Sequence, residues 1–255
     1  MQIADMTGKT ALVTGAASGL GRATALKLAS VGASLAIVDI NAEALAETAA
    51  LLGGASVLVH KADLSDPAQC APAVAAAVAR FGGLNALCNV AGVIYLANSH
   101  QMPAEQWQRT LAVNLTAPFL LSQAAIPHLL AAANGKSGGA IVNVASTAAH
   151  IGEAYAAAYC ASKAGLVQMT KAMAMEYMHQ PIRINAVAPG GMITNIGANF
   201  ALPEGCDIEL FKRYSGMRGT VEVEDVADLV AYLASDAGRG YHGSCITIDA
   251  GITAG

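Results

Sequence analysis

Thr14-Gly15-Ala16-Ala17-Ser18-Gly19-Leu20-Gly21 is entered by an apolar run, Ala11-Leu12-Val13, and left by a helical pattern in Ala23, Ala25, Leu26 and Leu28. The order is strand, glycine turn, helix. Such a turn needs backbone angles that a Cβ opposes and close approach of a phosphate to bare N–H groups, and Gly15, Gly19 and Gly21 supply both. A helix beginning near Ser18 aims its unpaired N–H groups and the positive end of its dipole into the turn, so an anion is expected there. A tight turn that binds nothing uses the same glycines, and the flanking chain separates the two cases. A second apolar strand, Ser34-Leu35-Ala36-Ile37-Val38, ends on Asp39. That is roughly twenty-odd residues past the first glycine, where a dinucleotide-binding unit places an acid on the adenosine ribose. No Gly-Lys-Ser/Thr closes the turn, which excludes the usual P-loop. Asp39 predicts NAD over NADP, because its carboxylate accepts from both ribose hydroxyls and repels a 2′-phosphate, while Ile40 and Asn41 bring no cation. Arg22, just past the turn, is the one nearby cation within reach of such a phosphate.

Beyond Asp39 the alternation of helical and strand patterns continues. Ala42, Leu45, Ala46, Ala49 and Leu52 make a helix, Gly53-Gly54 stops it, and Ser56-Val57-Leu58-Val59 starts a third strand that runs into Asp63-Leu64-Ser65-Asp66-Pro67. Asp66 or Ser65 caps the next helix with Pro67 in its first turn, and Asp63 stands at the carboxyl end of the strand, where doubly wound sheets bind ligands. Ala86-Leu87-Cys88-Asn89 is a fourth strand closing on Val90-Ala91-Gly92, small residues that admit a cofactor. A long helical region after Pro103 carries Trp107, Leu111, Asn114, Leu115, Phe119, Leu120 and Leu129, with Asn114 among apolar neighbours. Ala140 to Val144 is a buried central strand with Ser146 at its carboxyl end. The next helix carries Tyr155, Tyr159 and Lys163, and Arg183 to Ala188 is a sixth strand ending in Pro189-Gly190. After a weakly periodic segment, 191–219, expected to form a substrate lid, a helix (Val223 to Ala234) and a strand (Cys245 to Ile248) complete about seven βα repeats. The fold class that follows is α/β: a Rossmann-type doubly wound parallel sheet with helices on both faces, in a single domain spanning 1–255.

Bulk composition narrows the function classes. The 255 residues carry a net charge of −4 and no Lys/Arg cluster, which argues against nucleic acid as a partner. Hydrophobic residues make up 55% and charged residues 13%, so part of the surface is expected to lie against another subunit. No apolar run reaches the ~20 residues of a membrane span, and Met1 to Lys9 do not resemble a signal peptide, so a cytoplasmic location is expected. Five cysteines without a Cys-x-x-Cys pair and six histidines without His-Glu-x-x-His spacing suggest neither a disulfide framework nor a metal site.

Tyr159-Cys160-Ala161-Ser162-Lys163 puts a phenol and an ammonium at i and i+4 on one helix face. A tyrosine with its ordinary pKa of about 10 is a poor base near neutrality, and a cation fixed beside it is expected to lower that value. Tyr159 then takes the proton of an alcohol as its hydride leaves for a nicotinamide, or protonates the alkoxide in reverse. With these residues the chain resembles the short-chain dehydrogenase/reductase family, in its single-domain branch, over essentially its whole length. Thr14 to Gly21 corresponds to the family's Thr-Gly-x-x-x-Gly-x-Gly, Asn89-Val90-Ala91-Gly92 to Asn-Asn-Ala-Gly, and Tyr159 to Lys163 to Tyr-x-x-x-Lys. The resemblance implies a catalytic set of Asn114, Ser146, Tyr159 and Lys163: Ser146 holds the substrate oxygen and Asn114 links Lys163 to solvent through water. It implies a cofactor-binding set of Gly15, Ser18, Gly19, Leu20, Gly21, Asp39, Ile40, Asp63, Leu64, Asn89, Ala91, Gly92, Tyr159, Lys163, Pro189, Gly190 and Thr194. Val90 departs from the motif, so the hydrogen bonds of the missing amide must be replaced or lost, with more effect on stability than on chemistry.

The leading reading is an NAD-dependent oxidoreductase that interconverts a secondary alcohol and a ketone. An NADPH-dependent reductase of 3-oxoacyl-type substrates is an alternative. A non-catalytic dinucleotide-sensing module is another, but it has no reason to keep Ser146, Tyr159, Lys163 and Asn114 together. A serine hydrolase needs a Gly-x-Ser-x-Gly elbow, and Ser146 lies in Val144-Ala145-Ser146-Thr147. The expected substrate pocket (Ile94, Tyr95, Leu96, His150, Ile151, Glu153, Tyr155, Met192, Ile196) is mostly apolar and suits a hydrophobic or ring-containing alcohol. Helices around Asn114 to Ala133 and Ala156 to Met178 carry apolar residues on more than one stripe, which predicts a homotetramer.

Overall fold

The computed structural model describes residues 4–132, 138–193, 202–212 and 214–254. Its strands are β1 (Thr10–Thr14), β2 (Ser34–Asp39), β3 (Val57–Lys61), β4 (Ala86–Asn89), β5 (Gly139–Val144), β6 (Ile182–Pro189) and β7 (Cys245–Ile248). They form one sheet in the order β3-β2-β1-β4-β5-β6-β7, and every pairing is parallel. The chain runs outward from β1 to β3, then returns to β4 and runs the other way. The crevice where the order reverses, at the carboxyl ends of β1 and β4, is where such sheets bind ligands.

β1, β5 and β6 are buried along their whole length, which is why their sequences read as nearly continuous apolar runs. Alternate residues feed two layers. Val13, Leu35 and Ile37 pack on one face against Leu28 of α1 (Gly19–Ser30), Leu45 of α2 (Ala42–Leu51) and Val226 and Val230 of the C-terminal helix (Val223–Ala234). Leu12, Ala36, Val38, Ile141 and Ile184 pack on the other against α3 (Cys70–Phe81), α5 (Ala117–Ala131) and Met173 of α6 (Ala157–Glu176). Each fully buried Leu or Ile contributes about 1.5–3 kcal/mol over leaving it exposed. Asp66 accepts from Ala68 N and so caps the short turn Pro67–Gln69 that leads into α3.

Two helices differ from the sequence expectation. The region after Pro103 is α4 (Ala104–Leu111), a wider π turn over Ala112–Thr116, and then α5. Pro118 explains the break: it has no N–H for the carbonyl of Asn114, and its ring crowds that carbonyl, so Ala117 N reaches back five residues to Ala112 instead. Tyr155 is not on α6, which begins at Ala157, but precedes it with φ 66°. Its carbonyl accepts from Ala97 N and its hydroxyl from Asp207 N, contacts that hold it off the helix. Of the expected lid, 194–201 and 213 lie outside the described residues; the rest includes α7 (Ile208–Lys212), whose Phe211 stacks on Tyr155 at 5.4 Å. The C-terminal helix Val223–Ala234 is therefore α8.

Candidate functional site

A cleft of about 510 Å³ opens at the carboxyl ends of the strands, and the turn after β1 lines one end of it. Gly15 has φ 69°, and a Cβ there would come within 2.8 Å of Ala91 Cα; a Cβ on Gly21 would overlap the Gly15 carbonyl. The turn and the loop after β4 are therefore packed backbone to backbone, which only glycine permits. Ser18 precedes α1 without capping it, and the first intrahelical donor is Arg22 N to Ser18 O. The N–H groups of Gly19, Leu20 and Gly21 thus have no helical partner at a point where all three residues line the cleft. This cradle fits the pyrophosphate of a nicotinamide dinucleotide.

At the end of β2, Asp39 Oδ2 accepts from Ala17 N at 3.1 Å and Oδ1 from Asn41 N at 3.0 Å, which fixes the carboxylate at the cleft rim beside Ile40. Arg22 is committed elsewhere. Its Nε donates to Thr48 Oγ1 at 2.9 Å, and its Nη2 lies within bonding distance of the Ala17 carbonyl (2.6 Å), the Ala44 carbonyl (3.3 Å) and Glu47 Oε2 (3.0 Å). After β3, Asp63 and Leu64 line the cleft. Bonds from Ser65 Oγ (2.7 Å) and Ser65 N (2.9 Å) hold the Asp63 carboxyl below the usual range, helped by Arg109 at 3.7 Å.

At the other end of the cleft stand Ala91, Gly92, Ser146, Tyr159, Lys163, Pro189 and Gly190. Ser146 caps the turn Thr147–Ala149 by accepting from Ala148 N at 3.2 Å, and its hydroxyl is near enough to that of Tyr159 to favour the phenolate. Lys163 is 3% exposed, donates to the Val144 carbonyl at 2.7 Å, and puts Nζ 5.7 Å from the Tyr159 ring centroid. The sequence expectation that this cation lowers the phenol's pKa is corrected here. Burial pushes Tyr159 up to about 12, against a smaller lowering by the Ser146 hydroxyl, and burial also pulls Lys163 down to about 8. Desolvation outweighs the ammonium because Nζ sits over the ring and is engaged with a carbonyl.

Asn114 is fully buried within the π turn and does not line the cleft. Its Oδ1 accepts from Val93 N at 2.8 Å, and its Nδ2 donates to the Val93 carbonyl at 2.9 Å and to Ser162 Oγ at 3.1 Å. Asn114 Oδ1 and Lys163 Nζ both border the space beside Gly92, each 3.5 Å from where a Cβ would stand. Asn89 also lies off the cleft. Its Nδ2 donates to Asn143 Oδ1 at 2.8 Å, its direct partner in the β4–β5 register, and Asn143 passes the chain on to Thr170 Oγ1 at 2.9 Å. Val90, the departure from the motif, is 8% exposed in the core, while its N–H and that of Ala91 donate to Thr14 Oγ1 at 3.0 and 3.1 Å. Apolar packing thus stands in place of the missing amide, and Thr14 Oγ1 serves the backbone of Val90 and Ala91.

Of the expected substrate residues, Ile94, Tyr95 and Met192 line the cleft, whereas Leu96, His150, Ile151, Glu153 and Tyr155 do not; Ile196, like Thr194 of the expected cofactor-binding set, lies outside the described residues. Sequence reasoning passed over Val93, Arg109, Val113, Val144 and Ala145, which also line it. Arg109 of α4 stands one turn before Val113 of the π turn, with helical spacing as its only local signal, and Val144 and Ala145 form the strand end that precedes Ser146.

The family model described as enoyl-(acyl carrier protein) reductase matches residues 15–253. The chain is 38% identical over 252 residues to a D-threitol dehydrogenase of Mycolicibacterium smegmatis, covering 97% of this chain and 94% of the other. It is 39% identical over 250 residues to a cyclohexanol dehydrogenase of an Acinetobacter species, covering 96% and 95%. The crystal structure of a short-chain type dehydrogenase/reductase from Mycobacterium marinum superposes with a TM-score of 0.89 at 32% identity, covering 99% of this chain and 98% of that one.

Proposed function

The chain belongs to the short-chain dehydrogenase/reductase family, and from that premise we propose an NAD-dependent enzyme in which Tyr159 is the general acid/base of alcohol oxidation. Oxidoreduction between alcohol and ketone is the chemistry of the family members it matches. The observation that carries the reading is the meeting of Ser146, Tyr159 and Lys163 at one end of a cleft whose other end is a cradle of bare backbone N–H groups. When bound, the nicotinamide dinucleotide supplies the hydride acceptor. The chain supplies the rest. Ser146 Oγ, which lines the cleft beside Tyr159, orients the carbinol oxygen next to the phenol. Tyr159 Oη takes the carbinol proton in oxidation and returns it in reduction. Lys163, buried and tied to the Val144 carbonyl, holds a positive charge beneath the phenol ring, and Asn114 keeps the π turn and the Val93 backbone in register beside it.

A preference for NAD rests on Asp39, fixed by two backbone N–H groups, and on Arg22, whose hydrogen bonds to α2 and the turn keep it from serving a 2′-phosphate. The same two residues speak against the NADPH-dependent 3-oxoacyl reductase. For the described residues of the expected lid, 202–212 and 214–219, that role is supported by Phe211 stacking on Tyr155 and by Tyr214 Oη donating to the Ala154 carbonyl at 3.3 Å. A homotetramer is supported by Phe119 (42% exposed) and Met175 (67%), although Leu121, Ile126, Leu129, Leu166, Val167 and Met173 of the same helices are covered within the subunit. Among the described residues no helix is long and apolar enough to cross a membrane; a cytoplasmic site of action accords with the charge and cysteine usage. Incubation with NAD and a panel of secondary alcohols, followed by the absorbance of reduced nicotinamide, tests the reading: turnover is expected, and its absence across the panel with either dinucleotide overturns it.

A further inference from the structure

Arg109 is a cation of the cleft that the proton and hydride chemistry does not use. It stands in the last turn of α4, and Val113, four residues on, lines the same cleft. The order of the sheet fixes which part of the cleft this is. Ser146, Tyr159, Lys163, Pro189 and Gly190 come from β5, β6 and α6, the cradle of N–H groups follows β1, Asp39 ends β2, and Asp63 and Leu64 follow β3, one strand further out. A dinucleotide lying along that row with its nicotinamide beside Tyr159 has its second base against β3. The lining there includes Ile40, Leu64 and Val113, apolar side chains that suit the faces of a planar base, with Asp63 and Arg109 as a charged pair among them.

A serine joins that pair, and it does so in one direction. Arg109 Nη1 donates to Ser65 Oγ at 3.2 Å, and Ser65 Oγ donates to Asp63 Oδ1 at 2.7 Å, the same oxygen that accepts from Ser65 N at 2.9 Å. A guanidinium has no acceptor, so the single hydroxyl proton of Ser65 is committed to the carboxylate. Asp63 Oδ2 lies 3.7 Å from Arg109 Nη2, close enough to feel its charge but beyond a direct hydrogen bond. The Asp63 carboxyl is held below its usual range by these contacts, the Ser65 hydroxyl first among them. The backbone of the loop is pinned without Arg109: Asp63 N donates to Gln69 Oε1 at 2.9 Å, and Asp66 N donates to the Asp63 carbonyl at 3.1 Å. Arg109 therefore acts on the rotamer and charge of Asp63 rather than on the path of the chain.

We propose that Arg109 is a positioning residue for base recognition: through Ser65 it fixes Asp63 as an edge that only accepts, which selects a purine with an exocyclic amino group over one with a carbonyl at the same place. This rests on the dinucleotide-dependent reading above. An amino group donates to the carboxylate, whereas a carbonyl oxygen meets it lone pair against lone pair and loses a charge-assisted hydrogen bond. With Arg109 gone, the Ser65 hydroxyl is free to turn and Asp63 is free to leave the orientation in which it meets the base.

The test compares Kd for NAD and for nicotinamide hypoxanthine dinucleotide by calorimetric titration without alcohol, beside kcat/KM for each, in the wild type, Arg109→Leu, Ser65→Ala and the double variant, with melting temperatures for all four. The wild type should bind NAD about tenfold or more tightly than the deaminated analogue, since a hydrogen bond to a charged group has about that worth. That ratio should fall about three- to tenfold in Arg109→Leu and by a similar factor in Ser65→Ala, and the double variant should fall no further, because both substitutions break one relay. Arg109→Gln takes the place of the leucine variant if that does not fold. A wild-type ratio near one, a ratio equal in all the variants, or two single effects that multiply in the double variant overturn the proposal while leaving the alcohol reading intact. Equal losses for both dinucleotides in Arg109→Leu also overturn it, in favour of a contact to sugar or phosphate. A wild type that prefers the deaminated analogue overturns it as well, in favour of Arg109 donating to the base itself. A wild type that binds no dinucleotide and oxidises no alcohol of the panel refutes the oxidoreductase reading, and the proposal with it.

Discussion

Replacing Asp39 by asparagine removes one charge from the cleft rim and little else. The carboxylate is held by Ala17 N at 3.1 Å and Asn41 N at 3.0 Å, and an amide oxygen keeps one of these bonds while the other N–H turns to water at a half-exposed position. A unit charge about 4 Å from another is worth about 1 kcal/mol in bulk water and about 4 kcal/mol at an effective dielectric of 20. Asp39 is neither free in water nor deeply buried, so a 2′-phosphate in its place of action faces about 2–3 kcal/mol of repulsion per unit charge. Lifting that repulsion raises kcat/KM with NADP by about 30- to 150-fold, since each 1.4 kcal/mol is a factor of ten. With NAD the variant loses less than about tenfold, because an amide still hydrogen-bonds a ribose hydroxyl. NADP does not overtake NAD, as Arg22 stays bound to Thr48, Ala17 and Glu47. Initial rates with each dinucleotide at one saturating alcohol concentration measure both ratios. Equal kcat/KM for NAD and NADP in the wild type, or no rise with NADP in Asp39→Asn, refutes the electrostatic argument.

Tyr159→Phe keeps the ring and deletes the hydroxyl beside Ser146 in the cleft, so turnover should drop about 10²- to 10⁴-fold while NAD binding by fluorescence titration stays within a few-fold; more than about a tenth of wild-type turnover excludes Tyr159 as the acid/base. Lys163, lowered to about 8 by burial against 10.5 when exposed, binds fewer protons folded than unfolded between those values, so its contribution makes stability rise with pH over that window by up to about 3 kcal/mol. Tyr159, raised to about 12, works in the opposite direction but only above pH 10, where the folded state keeps the proton that the unfolded state releases. Denaturant unfolding of dinucleotide-free protein should therefore show a wild-type stability that gains on Lys163→Met from pH 8 to pH 10, and a constant difference counts against the burial argument. Sedimentation at low micromolar concentration should give a mass near four subunits; a single monomer species means that Phe119 and Met175 simply face solvent.

The central strands were legible because burial on both faces leaves a nearly continuous apolar run in β1, β4, β5 and β6, whereas the edge strands β3 and β7 are only partly covered and were legible from their place in the alternation with helices. The turn after β1 was legible for a complementary reason, since Gly15 and Gly21 stand where any Cβ would strike backbone. What escaped the sequence depends on contacts between distant residues. Nothing local in Arg22 reveals that it is held by Thr48 and Glu47, because those partners lie on α2 and meet it only once the two helices are placed. Nothing local in Tyr155 reveals φ 66°, since helical spacing placed it one turn before Tyr159 and its tethers come from Ala97 and Asp207. The phenol was misjudged for the same cause: spacing brings Lys163 beside Tyr159, but only the fold shows Nζ turned to the Val144 carbonyl, where it does not offset the burial of the hydroxyl.

Asn114 lies between these cases, and its signal was local after all. Its burial among apolar residues demanded partners, and it has three, from Val93 and Ser162. A regular α-helix would tie its carbonyl to the N–H four residues on. Pro118 cannot provide that N–H, and the helix answers with the π turn of Ala112–Thr116, which sets Asn114 beside Lys163 and Gly92. A proline four residues after a buried asparagine in an otherwise helical run is thus a readable instruction. It marks one of two places in that run where a proline denies a carbonyl its usual N–H, the other being Pro127 inside α5, and it is the packing of the π turn beside α6, where Asn114 meets Ser162, that sets the turn at Pro118 against the buried ammonium.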